Sequence, residues 1–155
     1  MSRSMFVSAL AALTLLSSTA LTSAQPFGTE KGARAMIQRA ITALKADQTT
    51  ALAEFNDKNN EEFHYRDLYV FCMNMSDGKF TAEENPALLG TDSRMFKLNG
   101  DPFGRRVYDT IKSAPEGRII SVGYNAPRPG TTQPVPKVSF VVRIDGQGCG
   151  VGYYR

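Results

Sequence analysis

One lysine, Lys137, and a set of tyrosines are the residues of this 155-residue chain whose types and positions are best suited to chemistry. Lys137 opens a strand-like run that continues Val, Ser, Phe, Val, Val. A cation at the end of an apolar strand can reach into a pocket and hold an anion, and Tyr69, Tyr124 and Tyr154 can each add a hydroxyl donor. One charge, a few donors and apolar walls suit a small carboxylate. The alternative is a solvated strand-end lysine beside core tyrosines.

Catalytic and nucleotide-binding patterns are weak. His64 is the only histidine, and no serine lies in a Gly-x-Ser-x-Gly motif, so we expect His64 to be a surface residue. The alternating Gly146, Gly148, Gly150 and Gly152 lack the spacing and the following helix of a phosphate-binding loop. We interpret them as places where another backbone, side chain or ligand approaches a strand closely.

Metal sites are also not indicated. Asp77, Glu83 and Glu84 lie near one another but lack the spacing of a calcium-binding loop, so we interpret them as parts of solvated loops. Cys72 and Cys149 form neither a Cys-x-x-Cys redox motif nor a zinc-binding cluster. The sequence therefore predicts no catalytic residue, no metal and no cofactor.

The N-terminus has the parts of a secretory signal peptide. Residues 1–3 carry a basic charge, residues 5–16 are apolar and uncharged, and residues 22–24 are small. This pattern predicts a signal peptide over residues 1–24 with cleavage before Gln25. The alternative is an uncleaved membrane anchor, but the apolar run is short for a hydrocarbon layer of ~30 Å.

Residues 25–155 are then expected to form one periplasmic domain with a real core. The formal net charge of +3 is mild and the basic residues are scattered, which argues against nucleic acid as a partner. No later apolar run is long enough to predict a membrane span in the mature chain. Export would place Cys72 and Cys149 in an oxidising compartment, which favours a disulfide over two buried free thiols.

Two kinds of periodicity define the expected elements. Residues 29–56 read as helical, with Thr29 as N-cap, apolar residues at three- and four-residue spacing and a break near Asp47. We expect the apolar stripe to pack on a sheet, the alternative being a partner-binding helix. After the break at residues 47–50, a second, short helix is predicted to begin at 51–55. A further helix is predicted at 106–113, and strands at 66–74, 80–82, 117–124, 136–144 and 149–154.

This order of elements predicts an α+β fold: a five-stranded antiparallel sheet with a long N-terminal helix and all helices on one face. The strand at 66–74 alternates Leu68, Val70 and Cys72 with Tyr69 and Phe71. Both of its faces are apolar, so we expect it to be central and covered on both sides.

Six segments, in this order, resemble the single Cache domain of type 2: residues 66–71, 85–90, 101–104, 117–124, 136–140 and 150–154. The resemblance covers roughly residues 51–155. It implies a PAS-like fold and an extracytoplasmic sensor module for small molecules, often organic acids. It also implies a pocket between the sheet and the middle segment of the chain.

By position, Tyr69, Phe71, Tyr124 and Lys137 match residues on or near the pocket of that family, and Lys137 resembles its carboxylate-holding lysine. Together with Tyr154 these are the predicted ligand-binding residues.

Three further expectations follow from the resemblance. Glu83 and Glu84 stand where many members carry a His-Pro pair. The first and last strands are neighbours in a PAS-like sheet, which implies that Cys72 and Cys149 are close. Because the sequence stops at Arg155, without the family's membrane helix and signalling domain, we expect a free-standing periplasmic Cache protein.

The predicted function is a non-catalytic sensory module that binds a small organic acid. It would act in chemotaxis or other signal transduction with a separate membrane receptor or histidine kinase. The alternative is a periplasmic accessory domain of such a receptor or kinase, with its pocket filled by side chains. An enzyme is the least favoured class.

Overall fold

A computed structural model describes residues 27–155, and the predicted signal peptide at residues 1–24 lies outside them. None of the described helices is both long and apolar enough to span a membrane. The helices are α1 (Glu30–Ala46), α2 (Gln48–Asn56) and α3 (Phe103–Ser113), and two short 3-10 helices cover Pro86–Leu88 and Ser93–Met95. The strands are β1 (His64–Tyr65), β2 (Leu68–Asn74), β3 (Phe80–Ala82), β4 (Ile120–Pro127), β5 (Pro134–Ile144) and β6 (Gln147–Tyr154).

Helix α1 begins and ends where its capping residues predict. The Thr29 side chain accepts a hydrogen bond from the Gly32 N–H, which satisfies one free donor of the first turn. Asp47 then separates α1 from α2: its backbone N–H donates to the Ala43 carbonyl, and its side chain accepts from the Thr50 N–H. One polar residue therefore both ends a helix and caps the next.

The sheet is antiparallel, with strand order β1-β2-β6-β5-β4 and with β3 paired to β2. All five predicted strands are present. The sixth, β1, forms because Arg66 has φ of 59°, a left-handed conformation that reverses the chain between Tyr65 and Leu68. The first long strand consequently starts at Leu68 rather than at Arg66.

Helices cover both faces of the sheet, so the prediction that they share one face is wrong. On one face, α1 and α2 pack against side chains that include Val70, Phe140 and Val142. On the other, α3 packs with Phe71 and Val141. The physical reason was visible in β2: both of its faces are apolar, and each must be removed from water.

The predicted disulfide is present. Cys72 on β2 and Cys149 on β6 are directly opposed in the sheet, with their Cα atoms 4.1 Å apart, and they are bonded to each other. Strands β2 and β6 are neighbours, as the PAS-like strand order implied. The bond therefore joins β2 to the C-terminal strand β6, and both cysteines are buried in the core.

Candidate functional site

A cavity of about 190 Å³ lies between the sheet and the segment that runs from β3 to α3. All five residues predicted to bind a ligand line it: Tyr69, Phe71, Tyr124, Lys137 and Tyr154. Most of the remaining wall is apolar and includes Met73, Phe80, Phe96, Leu98, Phe103 and Val107. The structure therefore brings the predicted residues together around one space, while their contact with a ligand stays a prediction.

Strand register places Lys137 between two tyrosines. It is the direct cross-strand partner of Tyr124 on β4 and of Tyr154 on β6. The Lys137 Nζ lies 4.4 Å from the centre of the Tyr154 ring and 5.5 Å from that of Tyr69. The negative faces of aromatic rings attract a cation at such distances, so the rings hold the ammonium at the cavity wall without neutralising it.

Lys137 is buried, with 6% of its surface exposed, which rules out the solvated lysine of the alternative interpretation. Burial lowers the pKa of this amine, and the carboxylates of Asp67 and Glu83 oppose that effect. Across residues 27–155, no hydrogen bond or ion pair engages the Lys137 Nζ. The site thus contains a buried amine whose donors are free.

The three tyrosine hydroxyls are not equivalent. The Tyr124 Oη lies 3.0 Å from the Ser139 Oγ, and the Tyr154 hydroxyl donates to the Pro127 carbonyl. Within the described part of the chain the Tyr69 hydroxyl has no hydrogen-bond partner. Burial raises the pKa of all three phenols, so they stay protonated. Tyr69 therefore offers a free donor, whereas Tyr154 contributes mainly its ring.

Glu83 lines the same cavity, so its interpretation as a solvated loop residue is wrong. Its Oε1 accepts a hydrogen bond from the Glu84 N–H at 3.0 Å. Desolvation raises the pKa of the Glu83 carboxyl to about 7, against the opposing effect of that backbone hydrogen bond and of Lys137. The sequence signal for this residue was its place at the family's His-Pro position.

Three solved structures share this architecture, although no family model and no curated protein sequence matches the chain. One is a Cache chemosensory domain described for its recognition of carboxylic acid: 22% identity, TM-score 0.59, covering 80% of this chain and 91% of that one. Another is the periplasmic sensor domain of a chemotaxis protein: 22% identity, TM-score 0.57, covering 80% and 88%. A third is a methyl-accepting chemotaxis protein from Vibrio parahaemolyticus RIMD 2210633: 19% identity, TM-score 0.58, covering 80% and 86%.

This chain has the fold of a single Cache domain. The PAS-like α+β architecture implied by the resemblance is therefore confirmed. The finer assignment to type 2 stays a prediction, because at these identities the comparison establishes the fold alone.

His64 has a structural place in this Cache fold rather than a surface one, which corrects the earlier expectation. Its side chain is 10% exposed, its Nδ1 lies 3.2 Å from the Glu84 carboxylate, and its Nε2 lies 2.6 Å from the Phe55 carbonyl oxygen. Both ring nitrogens are thus engaged, and neither contacts a serine. Among the described residues no three His, Cys, Asp or Glu side chains are grouped to hold a metal.

The alternating glycines of β6 shape the cavity face of the Cache fold. A Cβ on Gly152 would lie 2.9 Å from the Lys137 Cε, the Ser139 Oγ and the Tyr124 Oη, and a Cβ on Gly150 would meet the Phe71 ring. These contacts are shorter than real Cβ atoms tolerate. The interpretation of the glycines as positions of close approach is confirmed for Gly148, Gly150 and Gly152, and cavity side chains approach the last two. It is wrong for Gly146, which lies before β6 and has no described atom within 4 Å of its Cβ position.

Proposed function

We propose that this chain is an extracytoplasmic sensor domain that binds a small organic acid in the cavity of its Cache fold and catalyses no reaction. The observation that carries the proposal is Lys137, a buried amine at the cavity wall with no ion-pair partner in residues 27–155. The proposed ligand contacts are Tyr69, Phe71, Tyr124, Lys137 and Tyr154.

The energetic argument concerns the cost of burying a charge. An ammonium removed from water without hydrogen-bond acceptors destabilises the folded protein, and nearby aromatic rings offset only part of that cost. A carboxylate in the cavity would accept charge-assisted hydrogen bonds from Lys137 and a further one from the Tyr69 hydroxyl. The apolar wall would then hold a short hydrocarbon portion of the ligand.

A sensor also needs a means of reporting occupancy. We propose that the domain acts in the periplasm with a separate membrane receptor or histidine kinase, to which it passes a ligand or a bound state. Support comes from the solved structures of the same fold, two of which belong to chemotaxis proteins. The accessory-domain alternative requires a pocket filled by side chains, and the open cavity argues against it.

The test is a thermal-melting screen of purified residues 25–155 against small mono- and dicarboxylates. A ligand at 100 times its Kd stabilises the wild type by ~2.7 kcal/mol, which such an assay detects. We expect Lys137→Met, which keeps the length of the side chain, and Lys137→Ala to stay folded and to lose the shift. The matched control is Lys31→Met, at an exposed lysine of α1. Equal shifts for wild type and both Lys137 variants rule the proposal out.

A further inference from the structure

The cavity has two ionisable groups of opposite charge, Lys137 and Glu83. A simple organic acid could form an ion pair with Lys137 but not with Glu83. Lys137 enters from β5, and Glu83 enters from the loop that follows β3. No ion pair joins the two side chains, although each affects the pKa of the other. The open space of the cavity therefore lies between an amine and a carboxyl group.

The loop geometry turns Glu83, and not its neighbour, toward this space. Glu84 does not line the cavity: its carboxylate is engaged by Lys58 at 3.5 Å and by His64 at 3.2 Å. Glu83 has one oxygen held by the Glu84 N–H. The Asn85 N–H also interacts with this carboxyl group and lowers its pKa. In the part of the chain that the structure describes, no side chain forms an ion pair with Glu83, so the loop backbone orients a carboxyl group that has no charged partner.

We infer that the ligand of this site is a small zwitterion, whose carboxylate pairs with Lys137 and whose ammonium group pairs with Glu83. This inference rests on the proposed function and narrows it from organic acids in general to amino acids. It makes Glu83 a residue that determines specificity and assigns it a direct contact with the ligand.

Charge complementarity decides against the other ligand classes. A monocarboxylate satisfies Lys137 but leaves the ionised Glu83 unpaired and repelled by the ligand at close range. A dicarboxylate adds a second repulsive charge. A zwitterion satisfies both groups, and its donors match the two acceptors of a carboxylate. The small volume of the cavity favours an amino acid with a short side chain.

The experiment is isothermal titration of wild-type protein with matched pairs that differ only in the amino group: acetate against glycine, and propionate against alanine and β-alanine. At pH 8, where Glu83 is ionised, we expect at least one amino acid to bind tenfold or more tightly than its partner. Glu83→Gln removes the charge but keeps the shape, and we expect it to abolish that preference. Glu84→Gln is the matched control and should retain it.

The pH dependence of ligand affinity is a second measurement, and a purely structural role for Glu83 would not change it. Besides Lys137 and Glu84, the titratable groups that interact with Glu83 are the Tyr69 and Tyr124 phenols, and burial keeps both protonated throughout. Between pH 8 and pH 6 the affinity for the amino acid should fall and the affinity for its deaminated partner should rise, in wild type but not in Glu83→Gln.

The outcomes separate this inference from the proposed function. If acetate or propionate binds wild type at pH 8 as tightly as the amino acids, the zwitterion is overturned and the organic-acid sensor stands. If no compound of either class binds, both are overturned.

Discussion

Lys137 and Tyr154 face each other across strands β5 and β6, and the Lys137 Nζ lies 4.4 Å from the centre of the Tyr154 ring. The ring is held in place because its hydroxyl donates to the Pro127 carbonyl at the end of β4. Three neighbouring strands thus fix one amine at the cavity wall. A cation over an aromatic face gains about 0.5–2 kcal/mol, which offsets part of the desolvation cost and leaves the N–H donors of Lys137 free for a ligand.

The ring of Tyr154, more than its hydroxyl, should support ligand binding. We expect Tyr154→Phe to bind a carboxylate ligand within a few-fold of wild type, because the ring stays over the amine. Tyr154→Leu should weaken binding by about tenfold or more, in line with the loss of ~1.4 kcal/mol of cation–ring attraction. Calorimetric titration of both variants makes the comparison. Equal affinities for the Leu and Phe variants would contradict it.

Gly152 should be required for the arrangement of the polar groups. In Gly152→Ala the new methyl group displaces Lys137, Ser139 or Tyr124, each 2.9 Å from the Cβ position. We expect a loss of about 1–3 kcal/mol in unfolding free energy, measured by urea denaturation, together with weaker ligand binding.

Gly123 provides the matched control for this substitution. It also lies in a cavity-lining strand, β4, but apart from its chain neighbours no heavy atom of residues 27–155 comes within 4 Å of its Cβ position. Gly123→Ala should therefore leave both stability and binding close to wild type. A Gly152→Ala protein that behaves like Gly123→Ala would show that the polar groups can rearrange freely.

Glu83 should make the stability of the protein depend on pH. Its carboxyl pKa rises from an ordinary value of 4.5 to about 7 on folding, chiefly because of desolvation. The folded state therefore binds the proton more tightly than the unfolded state. The contribution to stability is fully present below pH 4.5 and is lost as pH rises through about 7, a total change of about 3 kcal/mol.

Urea denaturation at pH 5 and pH 8 measures this effect. We expect wild type to lose stability between these values and Glu83→Gln to lose about 2–3 kcal/mol less. Identical pH dependence in the two proteins would mean that Glu83 is ionised at little cost in the folded state.

The Cys72–Cys149 bond should leave no free thiol in native protein purified under non-reducing conditions. With a sequence separation of 77 residues, the chain-entropy model assigns the bond about 4 kcal/mol. Reduction should therefore lower the melting temperature clearly. The check is a thiol titration in denaturant without reductant, and two reactive equivalents per chain would refute the bond.

Local patterns in the sequence predicted the helices and strands well, because their signals lie between near neighbours in the chain. The apolar stripe of α1, including Met36 and Ile37, is buried as its spacing indicates. Lys137 stands out in the sequence for the same reason: its neighbours in the strand are apolar. The pairing of Cys72 with Cys149, however, was expected from export to an oxidising compartment and from the resemblance, and not from a local pattern.

Residues whose environment depends on distant parts of the chain were misjudged. Glu83 and His64 both lie in polar stretches that read as solvent-exposed, yet one lines the cavity and the other is nearly buried. The burial of Glu83 comes from cavity-wall residues such as Tyr69, and that of His64 from the end of α2 at Phe55. The residue spacing within these two polar stretches does not indicate such long-range contacts.

By itself, the sequence determined which segments form the main helices and strands and placed Lys137 at the start of an apolar strand, since alternation and periodicity are properties of adjacent residues. Only the tertiary structure decided that Lys137 and Glu83 share one cavity and that α3 packs on the sheet face opposite α1 and α2. It also decided that, among residues 27–155, the Tyr69 hydroxyl has no hydrogen-bond partner. The physical reason is that burial and electrostatic interaction depend on distance in space, which the packing of the whole sheet sets.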